Sequence, residues 1–435
     1  MNAPNLILPS LPLVDIPNNR RPLKAGKVES GRNLMSETES LPIVAICHLG
    51  WDWVWQRPQQ FLSRLAKTHP VLFVETYCID IPDGRISVKS WDKNSGLKIL
   101  KMELPASRWL DGRAIDLERR SLLREFLASA DGRAFQNAIL WINDPMAVTA
   151  FAGHLGESMV VYDCMDELSQ FAGAPPGILE RERQLILKAD VIFCGGQKMR
   201  RKRLPLNNNT HFYGTGVDCE HFGQAMSNSL ETHPDIACLK TPVIGYFGVI
   251  DERIDYDLLA ALADADLGWS IAMVGPFAKV DPATLPQRPN LHWLGSKSYQ
   301  ELPALTRGMD VCLMPFALNA ATEYINPTKA LEYMAAGKPV VSTALDEVRS
   351  NFSMATRIAA SHQEFIEICR AEAKSPSQHH IRKGLELSQE NTWEKIVGKM
   401  NEHMNDVICS RENVLESGIV ASQHPTIPNC FSQYV

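Results

Sequence analysis

The sequence predicts an α/β protein built from two doubly wound domains that face each other across a cleft. Short apolar runs alternate with longer amphipathic segments, the alternation occurs in two series, and a polar, pattern-poor stretch at 224–240 separates them. Apolar strands without polar alternation are buried on both faces, which is the signature of parallel sheets covered by helices on either side. In the first series the strands are expected at Leu41–Cys47, Val71–Glu75, Ala138–Asn143, Met159–Asp163 and Val191–Cys194, with helices over 57–67 and 178–188. In the second they are expected at Val243–Gly248, Ser270–Gly275, Asn290–Leu294, Val311–Pro315 and Val340–Thr343, with helices near 256–263, 299–307 and 327–336. This divides the chain into a Pro- and Asn-rich extension at 1–40, an N-terminal domain at 41–235 and a C-terminal domain at 236–390. A late helical segment at 391–416 and a tail at 417–435 complete it. Ligands of such sheets sit at the carboxyl ends of the strands, so the cleft is the expected site.

Composition narrows the function. Of 435 residues, 45% are hydrophobic and 22% charged, enough apolar surface to exclude a disordered or low-complexity chain. The net charge of −6 argues against a bulk nucleic-acid binder, which needs an excess of Lys and Arg. Ten cysteines stand singly with no CxxC, so a structural zinc site is not expected. The N-terminus lacks the order of a secretory signal, and no apolar run is long enough to span a bilayer. These features predict a cytoplasmic protein with reduced thiols.

The most informative segment is Glu323 to Val341. Asn326 is a favoured helix cap, Pro327 suits the first helical position, and Gly337 with Pro339 ends the helix before a strand. A helix start placed after a parallel strand presents free N–H groups and a positive dipole end, an arrangement that binds phosphate. Lys329 in the first turn is unfavourable beside that dipole unless an anion compensates it. Glu332, three residues on, shares its face. An ordinary capped helix with a Lys–Glu pair is the simpler alternative.

On the other domain, Gly50 follows the first strand at a sharp turn. Trp51, Trp53 and Trp55 offer flat surfaces for a sugar ring or an apolar carrier, or else a packed cap over the core. Arg57 opens the next helix and is a candidate to hold an anion, with a surface ion pair as the alternative. Asp163 and Asp166 end another strand on the cleft side, where carboxylates bind or polarise an attacking hydroxyl, or cap the following helix. His48 is a second candidate for the same proton-handling role. The basic run Lys198 to Arg203 is either a peripheral contact with anionic lipid or a solvated helix end. No GxGxxG follows a strand, which disfavours a nicotinamide or flavin enzyme. Asp264-Ala-Asp266 has the form of a DxD metal motif but reads as a solvated helix end.

The stretch NPTKALEYMAAGKPVVST, with WQRPQQ, VVYDCMDEL, KADVIF, GTGVDCEHF, IGYFGVIDERIDYDLL and NTWEKI, resembles GT-B glycosyltransferases of the large retaining family 4, in their bacterial surface-polysaccharide branch. The resemblance implies two Rossmann-like domains, a nucleoside-diphosphate-sugar co-substrate with no further cofactor, no essential metal, and a glycan or lipid-linked acceptor at the inner face of the membrane. It assigns Glu332 to the donor ribose, and Asn326, Pro327, Thr328 and Lys329 to the diphosphate and sugar. Gly248 becomes a close backbone approach to the donor, and Arg253 a cation for the departing diphosphate. One departure stands out. The family's paired glutamates have seven intervening residues, whereas Glu323 and Glu332 have eight, and Tyr324 takes the first glutamate's place. The reading is thus a retaining, metal-independent transferase in which Arg253, Lys329, Asp163 and His48 carry the chemistry. A catalytically silent nucleotide-sugar-binding scaffold and a nucleotide-sugar epimerase are the alternatives.

Overall fold

A computed structural model describes residues 41–416 except Val54, 92–94, 109–110, Ala172, 266–267, 320–321, Tyr324 and Asn326. The expected extension and tail lie outside the described residues. Eight strands form the first sheet: β1 (Ile43–Cys47), β2 (Val71–Ile79), β3 (Arg85–Ser90), β4 (Leu97–Pro105), β5 (Ile139–Ile142), β6 (Met159–Cys164), β7 (Val191–Cys194) and β8 (Thr210–Phe212). Their order is β3-β4-β2-β1-β5-β6-β7-β8. Every pairing is parallel except β3 with β4. The second sheet holds β9 (Val243–Phe247), β10 (Ser270–Val274), β11 (Leu291–Gly295), β12 (Val311–Met314), β13 (Val340–Thr343) and β14 (Arg357–Ala359), in the order β11-β10-β9-β12-β13-β14. All of its pairings are parallel.

The two-residue period of a strand explains how one sheet serves two cores. Val44 and Ile46 of β1 point into one apolar cluster, with Leu72 and Val74 of β2. Ile43, Ala45 and Cys47 point into the other, with Val71 and Phe73. The second core is closed by the helix Trp393–Glu416, whose Trp393, Ile396, Val397, Met400 and Met404 form one apolar stripe at helical spacing. Trp393 meets Phe61 edge-on at 5.4 Å between ring centroids. The end of the chain therefore lies on the N-terminal domain. In both sheets the strand order reverses beside the first strand, between β1 and β5 and between β9 and β12. Crevices for ligands open at such reversal points.

Two expectations need correcting. Val217, Phe222 and Ala225 belong to the C-terminal core, so the domains change over well before residue 236. The first sheet is also wider than expected, and its edge strand β3 runs antiparallel. Among the described residues, no helix is long and apolar enough to cross a membrane, and nine cysteines carry free thiols.

Candidate active site

The cleft between the sheets is a cavity of about 480 Å³. That lies within the roughly 300–1,000 Å³ of small-molecule sites. Its C-terminal wall is shaped by two glycines. Gly248 follows β9 with φ 146° and Gly275 follows β10 with φ 150°. A Cβ at Gly275 would lie 1.8 Å from the Gly248 carbonyl oxygen, and one at Gly248 would lie 2.0 Å from Lys329 Cε. Only glycine lets these two loops and the lysine share the space.

Lys329 opens the helix Lys329–Ala335, whose cap is Thr328 in helical conformation (φ −57°) without a side-chain hydrogen bond. The helix thus starts later than the expected cap and proline, and Asn326 and Tyr324 lie outside the described residues. Pro327 and Thr328 precede the helix and line the cleft. Among the described residues, Lys329 Nζ has no hydrogen-bond or ion-pair partner and stands 5.8 Å from the centroid of the Tyr246 ring. Burial lowers its pKa, an effect that Glu332 opposes. Glu332 also lines the cleft, and burial pushes its carboxyl up to about 7 despite the neighbouring lysine. Buried charge on both side chains thus lines the cavity, an arrangement suited to an ionic ligand.

Arg253 lines the same wall. Its Nε donates to both oxygens of Asp251 at 2.9 Å, and Nη2 lies 2.7 Å from Oδ2. Burial works against its charge, and Asp251 more than compensates. Arg253 is therefore a held cation, whereas Lys329 is unpaired among the described residues.

The N-terminal wall departs from expectation at several residues. Asp163 is fully buried beneath the cleft floor. One oxygen accepts from Arg57 Nε at 2.9 Å and the other from Asn143 Nδ2 at 3.0 Å, so it does not reach a substrate. Arg57 is correspondingly committed. Besides Asp163, its Nη1 donates to the carbonyls of Tyr213 at 2.6 Å and Gly214 at 3.0 Å, tying β6 to the interdomain segment. The carboxylate that does line the cleft is Asp166. Burial raises its pKa, while Arg253 across the cleft, His48 and Arg57 pull it down. His48 itself is exposed and does not line the cavity. Gly50 stands behind it, where a Cβ would come within 2.6 Å of the Tyr77 hydroxyl. Trp51 is a core residue rather than a platform: it is 2% exposed and packs edge-on against Phe73 at 5.0 Å. Trp55 does face the cleft, as does Trp53, which is 57% exposed.

Three residues of the basic run are engaged within the protein. Lys198 Nζ reaches across to Asp346 at 2.5 Å and Glu323 at 3.4 Å of the C-terminal domain, and its backbone N–H donates to Glu347 Oε1 at 3.1 Å. Arg203 is buried against Glu167 and Glu182. Arg200 Nε donates to the Thr210 carbonyl. Lys198, Arg200 and Arg203 thus join domains and pack a helix, while Arg201 and Lys202 are exposed. Asp264 forms two hydrogen bonds with Arg288 at 2.5 and 3.0 Å, and Asp266 lies outside the described residues.

Tyr246, Trp91 and Tyr299 are among the lining residues that had not been singled out. Tyr246 and Tyr299 are masked in the sequence by strand and helix patterns that suit core residues equally well. Trp91 follows a polar edge strand with no apolar period, and an isolated tryptophan in such a place is the one signal that could have found it.

Comparison with known proteins agrees with this geometry. The family described as Glycosyl transferases group 1 matches residues 241–367, the wall that carries Gly248, Arg253, Lys329 and Glu332. A Bacillus subtilis (strain 168) protein named as the teichuronic acid biosynthesis glycosyltransferase TuaH is 26% identical over 333 residues, covering 70% of this chain and 80% of that protein. The chain is a GT-B glycosyltransferase. Solved structures show the same fold at low identity. Sucrose-phosphate synthase from Thermosynechococcus elongatus superposes with a TM-score of 0.61 at 14% identity, over 85% of this chain and 100% of that one. Trehalose 6-phosphate synthase from Burkholderia multivorans gives 0.62 at 13%, over 86% and 100%. Anabaena HepE, solved with UDP and glucose, gives 0.59 at 14%, over 84% and 99%. In this GT-B glycosyltransferase the two sheets are the two domains of that fold, and the 480 Å³ cavity is its interdomain cleft.

Proposed function

We propose that this GT-B glycosyltransferase moves a hexose-type sugar from a nucleoside diphosphate to the hydroxyl of a glycan or lipid-linked acceptor in polysaccharide assembly, with retention at the anomeric carbon and without a metal. The observation that carries the reading is the unpaired Lys329 ammonium beside Glu332 at the carboxyl ends of β9 and β12. Lys329 and Arg253 stabilise the negative charge that grows on the departing diphosphate, which is the largest single contribution such a site makes. Glu332 accepts hydrogen bonds from the ribose hydroxyls. With Asp163 withdrawn into its pair with Arg57, the carboxylate that receives the acceptor proton is Asp166. The teichuronic acid role in the name of the Bacillus relative and the UDP bound by Anabaena HepE support a polysaccharide product and a nucleotide donor.

Incubation of the purified protein with UDP-, GDP- and dTDP-sugars, with and without EDTA, tests the proposal. One donor is expected to be hydrolysed or transferred at a rate that EDTA leaves unchanged, and proton NMR of the first-formed product is expected to show the donor's anomeric configuration. Loss of turnover in EDTA contradicts the metal-independent mechanism, and inactivity with every donor contradicts the enzymatic reading. A second arm, donor binding with isomerisation and no acceptor, distinguishes an epimerase.

A further inference from the structure

We infer that the acceptor site takes an uncharged sugar ring, held by its apolar face against Trp55 and Trp91, and rejects phosphorylated or carboxylated sugars. This deepens the glycosyltransferase reading above and rests on it. Three indoles form one cluster on the N-terminal wall. Trp51 is the buried base, its centroid 5.4 Å from Trp91 and 5.9 Å from Trp55. Trp55 and Trp91 each stand edge-on to it, 5.8 Å from one another with their planes tilted by 32°. Both line the cleft, and Trp91 is 37% exposed. Tyr299 of the C-terminal domain packs against Trp55 at 6.4 Å between ring centroids and bounds the surface on that side. Two tilted indoles left facing a cavity, braced edge-on by a buried third, make an apolar aromatic surface. Aromatic faces of this kind match the C–H face of a pyranose ring and leave its hydroxyls free for polar partners.

Charge argues for a neutral ring. Among the described residues that line this wall, the only cation is Arg57, and its guanidinium already serves Asp163 and two carbonyls. The wall also carries Asp52 and Asp166. Asp52 is paired with Lys89 at 2.6 Å, and Asp166 faces the cleft. Lys297, beside Tyr299, also lines the cleft but is paired with Asp235 at 2.8 Å. A phosphate or carboxylate on the acceptor would therefore meet Asp166 and only cations already engaged by carboxylates, which is repulsive in a partly desolvated cleft. Lys329, without an ion-pair partner among the described residues, stands on the opposite wall, where the donor diphosphate is proposed to bind. The shared chemistry is a terminal neutral pyranose, supplied by a free oligosaccharide or by a lipid-linked one.

Saturation-transfer NMR on the full chain with UDP present tests this. The probes are methyl glycosides of glucose, galactose, mannose and N-acetylglucosamine, their octyl counterparts, glucose 6-phosphate and glucuronic acid. At least one neutral methyl glycoside is expected to receive saturation on its ring C–H protons and to bind at least tenfold more tightly than either anionic sugar. Equal binding of the octyl form indicates recognition of the sugar alone, and tighter binding indicates a lipid-linked source. Trp55→Ala and Trp91→Ala are expected to weaken the neutral sugar at least tenfold, Trp91→Tyr to retain most of it, and all three to keep the UDP Kd within twofold. Equal or tighter binding of an anionic sugar overturns the inference, as does undiminished binding by Trp91→Ala. If UDP binds and no neutral glycoside does, the acceptor inference alone falls; if UDP fails to bind wild type, the donor reading falls.

Discussion

Burial raises the Glu332 carboxyl to about 7, whereas a ribose hydroxyl is held best by the ionised carboxylate. The folded pKa lies above the ordinary value of 4.5, so the native state keeps a proton that the unfolded chain has lost. The stability this residue contributes is therefore complete below that ordinary value and disappears as pH rises through about 7. Donor binding runs the other way. UDP-glucose affinity, measured by calorimetry across this range, is expected to rise as pH climbs to about 7 and then level off. Glu332→Gln is expected to bind roughly tenfold more weakly, a difference of about 1.4 kcal/mol, with no such pH dependence. A wild-type affinity flat through neutrality would contradict the role given to this carboxyl. The same scale shows where the sequence was readable. Lys329 and Glu332 announced themselves because a cation in a first helical turn is locally unfavourable. Asp163 misled, because a carboxylate at a strand end looks the same whether it faces substrate or, as here, a buried arginine.

Among the elements, the helix Trp393–Glu416 does the most to join the end of the chain to its beginning. Trp393 is 3% exposed, packs on Phe61, and leaves Gly216 so little room that a Cβ there would come within 2.7 Å of the indole. Trp393→Ala is expected to cost about 3–5 kcal/mol, the range for removing a large aromatic from a core, read from urea unfolding. A loss near zero would mean that the helix is not docked. Elements with a plain apolar period, β1, β5, β6, β7 and all the central strands of the second sheet, were legible from composition alone. The helix Gly112–Ala128 was not. Its buried face includes Asp116 and Arg119, where Asp116 pairs with Arg181 at 2.7 Å, so charge interrupts the apolar stripe. The edge strand β3 was hidden for a related reason, since RISVKS is almost wholly exposed and has little apolar surface to betray it.

At the scale of the molecule, specific contacts between side chains far apart in sequence join the two domains. Lys198 reaches two carboxylates of the opposite domain, Glu347 caps the helix Gln197–Arg203 across the boundary, and Trp55 approaches Tyr299. These contacts were invisible in the sequence, because partners more than a hundred residues apart share no local pattern. The two-domain architecture was visible, since each sheet carries its own rhythm of strands and helices. What the whole arrangement accomplishes is to set an unpaired ammonium on one wall against an aromatic, cation-poor surface on the other. The direct test is calorimetry of UDP, GDP and dTDP with wild type and Lys329→Ala, followed by turnover of the donor that binds. The account predicts that one nucleotide binds wild type and at least tenfold more weakly to the variant, with kcat falling on the order of 10²–10³-fold. Equal binding of all three nucleotides to both proteins, or unchanged turnover, would contradict it.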